Sequence, residues 1–273
     1  MGDIGHRSRM SITSTRRAST AEATTTAVAA TLALIALTIV ALRTARGQRW
    51  DDWSMNTVVA GRDTRVAILS VLGYVSIGAI IAVVAGCAVV ALLRGRVQLA
   101  VGAVIVVAGA NLTTQVLKHT VLDRPDLGFG TLNSLPSGHT TVVASCVGAA
   151  LLVAPRLGRV VIVLAGGFAT TLTAASTIVA GWHRPADVLA ALAVCLMWTA
   201  AVAAFLPGDR QLVRGTAVVA VIGCAGALAF LVLVGVRPLF GWDGFVQAGL
   251  VLGGVTAATA LFVVLAAAVS PAE

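Results

Sequence analysis

Charge is what this sequence has least of. Asp, Glu, Lys and Arg together make up 11% of the 273 residues, and Lys118 is the single lysine. Hydrophobic residues supply 58% of the chain, with a mean hydropathy of +0.97. No globule of this size has interior enough for that apolar content, which excludes a soluble domain and leaves lipid as the solvent. Cysteine is also sparse. Cys87, Cys146, Cys195 and Cys224 form neither a CxxC pair nor a Cys/His metal spacing, so no disulfide and no zinc site is expected. Internal repeats and a globular extramembrane domain are missing too, and nucleic acid is not an expected partner. Nineteen basic residues with one lysine leave eighteen arginines. That bias suggests a GC-rich bacterial genome, and hence a plasma membrane.

What is there instead is a series of apolar runs of about 20 residues, the length a helix needs to cross the hydrocarbon core. Eight are read, near 25–43, 66–93, 97–117, 138–154, 159–180, 186–206, 214–236 and 245–269. They are continuous rather than alternating, so the expected fold is an all-α polytopic membrane protein and not a barrel. The first run is too long, and too poor in a small-residue cleavage pattern, for a cleaved signal peptide, and is read as a retained span. Residues 1–24 are basic and rich in Ser and Thr, as expected of a disordered cytoplasmic tail near anionic lipid. Residues 45–65 are read as an outer loop whose Trp50 and Trp53 lie at the lipid interface.

Positive charge in short loops tends to stay cytoplasmic. With the N-terminus inside, the inner segments carry Arg7, Arg9, Arg16, Arg17, Arg94, Arg96, Arg156, Arg159, Arg210 and Arg214, ten of the nineteen basic residues. The segment 118–137 and the loop 181–187 then share the outer side.

Those two segments gather ionisable groups at the mouths of the spans. The first is "LKHTVLDRPDLGFGTLNSLPSGHTT" (117–141) and the second lies in "STIVAGWHRPADV" (176–188). Ionisable groups cost free energy in lipid, about 2.5–3.5 kcal/mol at a helix centre on insertion scales, so a cluster of them marks a cavity or a partner. His183 and Asp187 are spaced i, i+4 at a helix start, with Pro185 in a first-turn position. A carboxylate one turn from an imidazole fixes its tautomer and stabilises its charged form, which suits a nucleophile or base. Ser137, Gly138 and His139 read as a helix start whose free N–H groups accept an oxyanion at close approach. Lys118 and Arg124 add cationic donors, one a point charge and one bidentate. Two histidines, an aspartate, two cations and a helix N-terminus describe phosphoryl transfer through a phosphohistidine. The cations supply the neutralising role, and no metal or other cofactor is expected. Read alone, Pro136-Ser137-Gly138-His139 also serves as a plain helix cap, and Ser176 as a helix end. Asp123 and Asp126 are read as solvating their loop or pairing with Arg124. His119 and His6 are read as solvated or interfacial.

The order and spacing of these residues resemble the type 2 phosphatidic acid phosphatase (PAP2) superfamily of integral-membrane lipid phosphatases. Its pattern is K-x6-R-P, then P-S-G-H, then S-R-x5-H-x3-D. Here stand Lys118 and Arg124-Pro125, then Pro136-Ser137-Gly138-His139, then Ser176, His183 and Asp187. The resemblance implies a six-helix PAP2-like core over 25–210, with 211–273 as two additional C-terminal transmembrane helices. It further implies that His183 attacks phosphorus, Asp187 orients it and His139 protonates the leaving group, while Ser137, Gly138, Lys118 and Arg124 hold the phosphate oxygens.

Two positions depart from the pattern. Five residues, not six, separate Lys118 from Arg124, and Thr177 stands where the family has an arginine. Arg184 is the residue read as partly replacing that cation. The expected activity is metal-independent hydrolysis of a lipid phosphate or pyrophosphate at the outer leaflet, with membrane lipids as neighbours. The alternatives are phosphoryl transfer to another lipid, or a non-catalytic lipid-binding or transport relative that lost activity with Thr177. The oligomeric state is not legible.

Overall fold

A computed structural model describes residues 4–73, 77–208, 210 and 212–271. Among these the chain is all-α apart from one short two-stranded sheet, with ten helices. In chain order they are α1 (Ile4–Arg43), α2 (Ala45–Met55), α3 (Arg62–Gly73), α4 (Ile77–Leu93), α5 (Val97–Val116), α6 (Gly138–Val153), α7 (Arg156–Val179), α8 (Pro185–Phe205), α9 (Thr216–Leu233) and α10 (Phe245–Val269). Strand β1 (Val58–Ala60) pairs antiparallel with β2 (Val236–Pro238), joining the segment after α2 to the segment after α9.

Six of these segments are long and apolar enough to cross a membrane: Thr20–Arg43, Val97–Val121, Gly158–Val179, Pro185–Phe205, Thr216–Leu233 and Gly241–Val269. Gly78–Leu93 and Gly138–Val153 are shorter apolar helices. The protein is a multi-pass membrane protein. The expected span 66–93 takes in most of α3 and all of α4, and residues 74–76 lie outside the described residues. Helix α3 starts before that run, with Arg62, Asp63 and Arg65, which suit a helix mouth better than hydrocarbon. At the N-terminus, α1 is helical from Ile4, so helix takes in residues 4–24, where a disordered tail is expected from composition. The outer loop 45–65 contains α2 and β1.

Helix α8 lies at the centre, packed against α1, α5, α6 and α10, and α9 packs on α7. Close approach to α8 depends on missing side chains. A Cβ on Gly109 of α5 would lie 2.7 Å from the Trp198 ring, and one on Gly148 of α6 would lie 2.3 Å from Thr199 Oγ1. Small residues at such crossings let backbones approach where burial against lipid gives helices no reason to associate. The two C-terminal helices are integral to this packing, since α10 contacts α6, α7, α8 and α9.

The two ends of the bundle differ in character. At one end, arginines satisfy the carbonyls that helix C-termini leave free. Arg94 Nη1 donates to Val153 O (2.6 Å), Arg96 Nη2 to Pro207 O (3.1 Å), and Arg210 Nε to Val269 O (2.9 Å). Arg159, 2% exposed, donates to the carbonyls of Ala267, Ser270 and Pro271 at the end of α10. The other end gathers the C-termini of α1, α5 and α7 with the N-termini of α6 and α8, and it holds the polar motifs.

Candidate active site

Two loops and three helix ends build the site. A π-helical turn, Leu117–Val121, extends α5 and carries Lys118. Such wider turns mark a local departure from the regular helix and recur at functional sites. Asn133 then closes the following loop: its Nδ2 donates to Lys118 O (3.3 Å) and Leu122 O (3.0 Å), and its Oδ1 accepts from Leu135 N (3.1 Å). The loop delivers Ser137 to the N-cap of α6, where its Oγ accepts from Thr140 N at 3.4 Å. Gly138 opens the helix, and a Cβ built there meets nothing within 4 Å. The space over the first turn of α6 is therefore open.

Between α7 and α8 the chain turns through Gly181, at φ +72°, a conformation glycine adopts without penalty. Thr177 O accepts from both Trp182 N (3.0 Å) and His183 N (3.2 Å), so the end of α7 sets the imidazole's place. Arg184 is the N-cap of α8, and Pro185 is its first residue. His183 Nδ1 lies 3.1 Å from Asp187 Oδ2, and both residues are buried. The same Oδ2 accepts from Ser134 Oγ (2.6 Å) and from Arg184 N (2.9 Å). Asp187 O in turn accepts from Ser137 N at 2.9 Å, which ties the start of α6 to the start of α8. A carboxylate with three donors on one oxygen is held in one position, and it fixes the His183 ring with Nε2 as the nitrogen not committed to Asp187.

The remaining sequence candidates converge here. His139 lies within electrostatic range of His183 and Lys118, and its ring packs on Trp182 with centroids 5.4 Å apart. Arg124 is buried, and its guanidinium interacts with the charges of Arg184, Asp51, Asp187 and Asp52. Its Nε donates to Gly130 O at 3.3 Å, while Nη2 is buried without a partner. Burial and the nearby Arg184 charge push its pKa below the ordinary arginine value, against the pull of the three aspartates. Arg184 Nη2 lies 3.8 Å from Asp52, and its Nε is likewise buried without a partner. Unpartnered guanidinium donors around an open helix N-terminus are the complement of an oxyanion.

Other readings differ from the structure. Asp123 pairs with Arg43, not Arg124, and that ion pair holds its pKa below the usual carboxylate range; Asp126 accepts from Gly128 N at 2.9 Å. Thr177 is fully buried and its hydroxyl bonds Ala174 O at 2.8 Å, so it supplies no donor to the site. Helix α2 contributes residues that sequence reasoning missed. Gln48 Nε2 donates to Pro125 O (2.9 Å), and Asp51, 7% exposed, accepts from Ala186 N (3.0 Å). Asp51, Asp52 and Gln48 belong to no motif, although polar residues at 48, 51 and 52 on one helical face, opposite Trp50 and Trp53, were a visible pattern. Among the described residues, no group of three or more His, Cys, Asp or Glu could hold a metal ion. An apolar cavity of about 790 Å³ lies elsewhere, between β2, α9 and α10, and includes none of the motif residues.

Residues 99–211, from α5 past the end of α8, match the family model of the PAP2 superfamily. This segment belongs to the PAP2 superfamily. PAP2 members are phosphatases, and the match spans all three motif stretches of the site. Helices α1 to α4, α9 and α10 lie outside the PAP2 segment, so Gln48, Asp51 and Asp52 reach the site from beyond it. Comparison with curated proteins and with solved structures gave no match.

Proposed function

We propose that the protein is a membrane phosphatase that hydrolyses a lipid phosphate or pyrophosphate, of polyprenyl or phosphatidyl type, through a phosphohistidine. The observation that carries this reading is the His183–Asp187 contact at 3.1 Å beside the open N-terminus of α6. Asp187 holds Nδ1, and Nε2 attacks phosphorus. The ester oxygen leaves with the proton of His139, whose charge interacts with that of His183 across the same site. His139, now neutral, takes a proton from water as that water attacks the phosphohistidine; the P–N bond breaks, inorganic phosphate leaves and both histidines return to their starting states. Lys118, Arg124, Arg184, Ser137 and the Gly138 N–H hold the phosphate oxygens, and Arg184 stands in for the cation absent at Thr177.

In this reading the substrate headgroup reaches this end of the bundle at the membrane surface, and the arginine distribution supports the extracytoplasmic side of a plasma membrane. The test is a rapid acid-free quench after mixing the purified protein with phosphorus-labelled lipid phosphate. An alkali-stable, acid-labile phosphoprotein that is absent from His183→Ala is expected. Turnover without any such species in the wild type overturns the covalent mechanism.

A second reading has one specific observation in its favour. The buried, internally bonded Thr177 leaves the site one cation short of the family pattern. A protein that binds lipid phosphates without turnover fits that deficit; transfer of the phosphoryl group to a lipid alcohol in place of water is the other alternative. Saturable binding without phosphate release distinguishes the former, and a phosphorylated lipid product the latter.

A further inference from the structure

The site has a second buried carboxylate that the proposed chemistry does not use. Asp51 lies on α2, outside the PAP2 segment, with both oxygens directed into the polar cluster. Its Oδ1 accepts from Ala186 N at 3.0 Å, in the first turn of α8 between Pro185 and Asp187. Its Oδ2 lies 3.9 Å from Arg124 Nη1 and has no hydrogen-bond partner. Arg124 is thus engaged on Nε by Gly130 O and faced on Nη1 by Asp51, with Nη2 buried and unpartnered. The side chains of Arg124 and Asp51 are 1% and 6% exposed, so solvent does little to screen them.

We infer that Asp51 is a positioning residue: it ties Arg124 to the N-terminus of the helix bearing Asp187, and its own charge sets how strongly that guanidinium holds an oxyanion. The inference rests on the phosphate site proposed above. When Asp51 is ionised, Arg124 has a carboxylate partner and the phosphate must compete with it. When Asp51 is protonated, its Oδ1 can still accept from Ala186 while the Arg124 charge is left to the ligand.

Everything that faces Asp51 bears on its charge. From α8 come Asp187, which opposes ionisation, and Arg184, which favours it; from the loop after α5 comes Arg124, which also favours it. On its own helix Asp52 is turned to Arg184, and at the end of α1 Arg43 is occupied by Asp123. The packed helix α10 carries no charged residue between Phe245 and Val269. Burial outweighs the two arginines and lifts the Asp51 pKa to about 7. Both charge states are therefore populated near neutrality.

The test uses the full chain in detergent and sulfate as probe, its affinity read from the sulfate-dependent rise in the thermal unfolding midpoint. Sulfate keeps its charge across the interval from about pH 5.5 to about pH 8.5, which brackets the Asp51 transition. Asp51→Asn and Asp51→Ser, which keep an acceptor for Ala186 without a charge, are expected to bind sulfate about tenfold more tightly than wild type at the high pH and equally at the low pH. The gain should vanish in Asp51→Asn/Arg124→Gln, compared with Arg124→Gln alone. Wild type against Arg124→Gln needs no Asp51 variant: the fall in affinity with rising pH must shrink when the guanidinium is gone.

If Arg124→Gln weakens binding while both Asp51 variants match wild type at both pH values, the phosphate site stands and the role of Asp51 falls. A uniform loss at both pH values in the Asp51 variants makes the residue structural only, and overturns the inference. If sulfate stabilises no form of the protein, the phosphate site falls and the inference with it.

Discussion

Asp187→Asn removes one charge and one acceptor from the most connected group in the site. Asp187 Oδ2 accepts from His183 Nδ1 at 3.1 Å, Ser134 Oγ at 2.6 Å and Arg184 N at 2.9 Å. If the new amide keeps its oxygen in that place, the geometry survives and each charge-assisted bond becomes a neutral one. For the His183 bond that difference is about 1.5 kcal/mol, or about tenfold in rate. A larger effect comes from losing the charge that balances His183 once phosphorus is bonded to it. A unit pair at 3.1 Å is worth about 5 kcal/mol at an effective dielectric constant of about 20. That bounds the loss at about 10⁴-fold. The expected result is a fall in kcat between these limits with a smaller change in KM, because Asp187 meets the imidazole and not the phosphate. The assay is steady-state phosphate release in detergent, alongside the unfolding midpoint to confirm a folded variant. A kcat within about threefold of wild type in folded protein refutes the reasoning, since no positioned counter-charge would then be at work.

Three further outcomes follow from named contacts. Gly138→Ala puts a methyl group into the open space at the start of α6, so the fold should hold while KM rises about tenfold through poorer oxyanion approach. Arg159→Met leaves the carbonyls of Ala267, Ser270 and Pro271 without their donor, and should cost about 2–3 kcal/mol in stability, read by thermal unfolding, while the surviving folded protein keeps its kcat. Burial raises the Asp51 pKa from 3.8 to about 7, so the folded chain binds a proton that the unfolded chain releases between those values. Stability from this group is fully present below about pH 4 and is lost as pH rises to about 7, an effect on the order of 4 kcal/mol; Asp51→Asn should flatten that slope in unfolding midpoints taken across the interval.

Much of this arrangement was legible because it is local in sequence. The i, i+4 spacing of His183 and Asp187 survives as a direct contact, and Ser137 is a cap because its hydroxyl reaches the amide three residues on. Hydropathy was enough for the long spans, and the short run at 138–154 corresponds to α6 (Gly138–Val153). What was not legible depends on packing between distant segments. Ser134 looks like loop filler until it is placed 2.6 Å from Asp187, and nothing in the run from Ala45 to Met55 says that Asp51 meets Ala186, 135 residues away. The pairing of Asp123 with Arg43 was missed for the same reason, since the nearer Arg124 in sequence is turned into the protein.

Phosphate release by the full chain tests the central claim most directly. It is measured with chelator present, over a panel of lipid phosphates and pyrophosphates, for wild type and His183→Ala. The account expects release from at least one lipid by the wild type, undiminished by the chelator and lost in the variant. Release that persists in a folded His183→Ala, or that stops when divalent ions are removed, contradicts it.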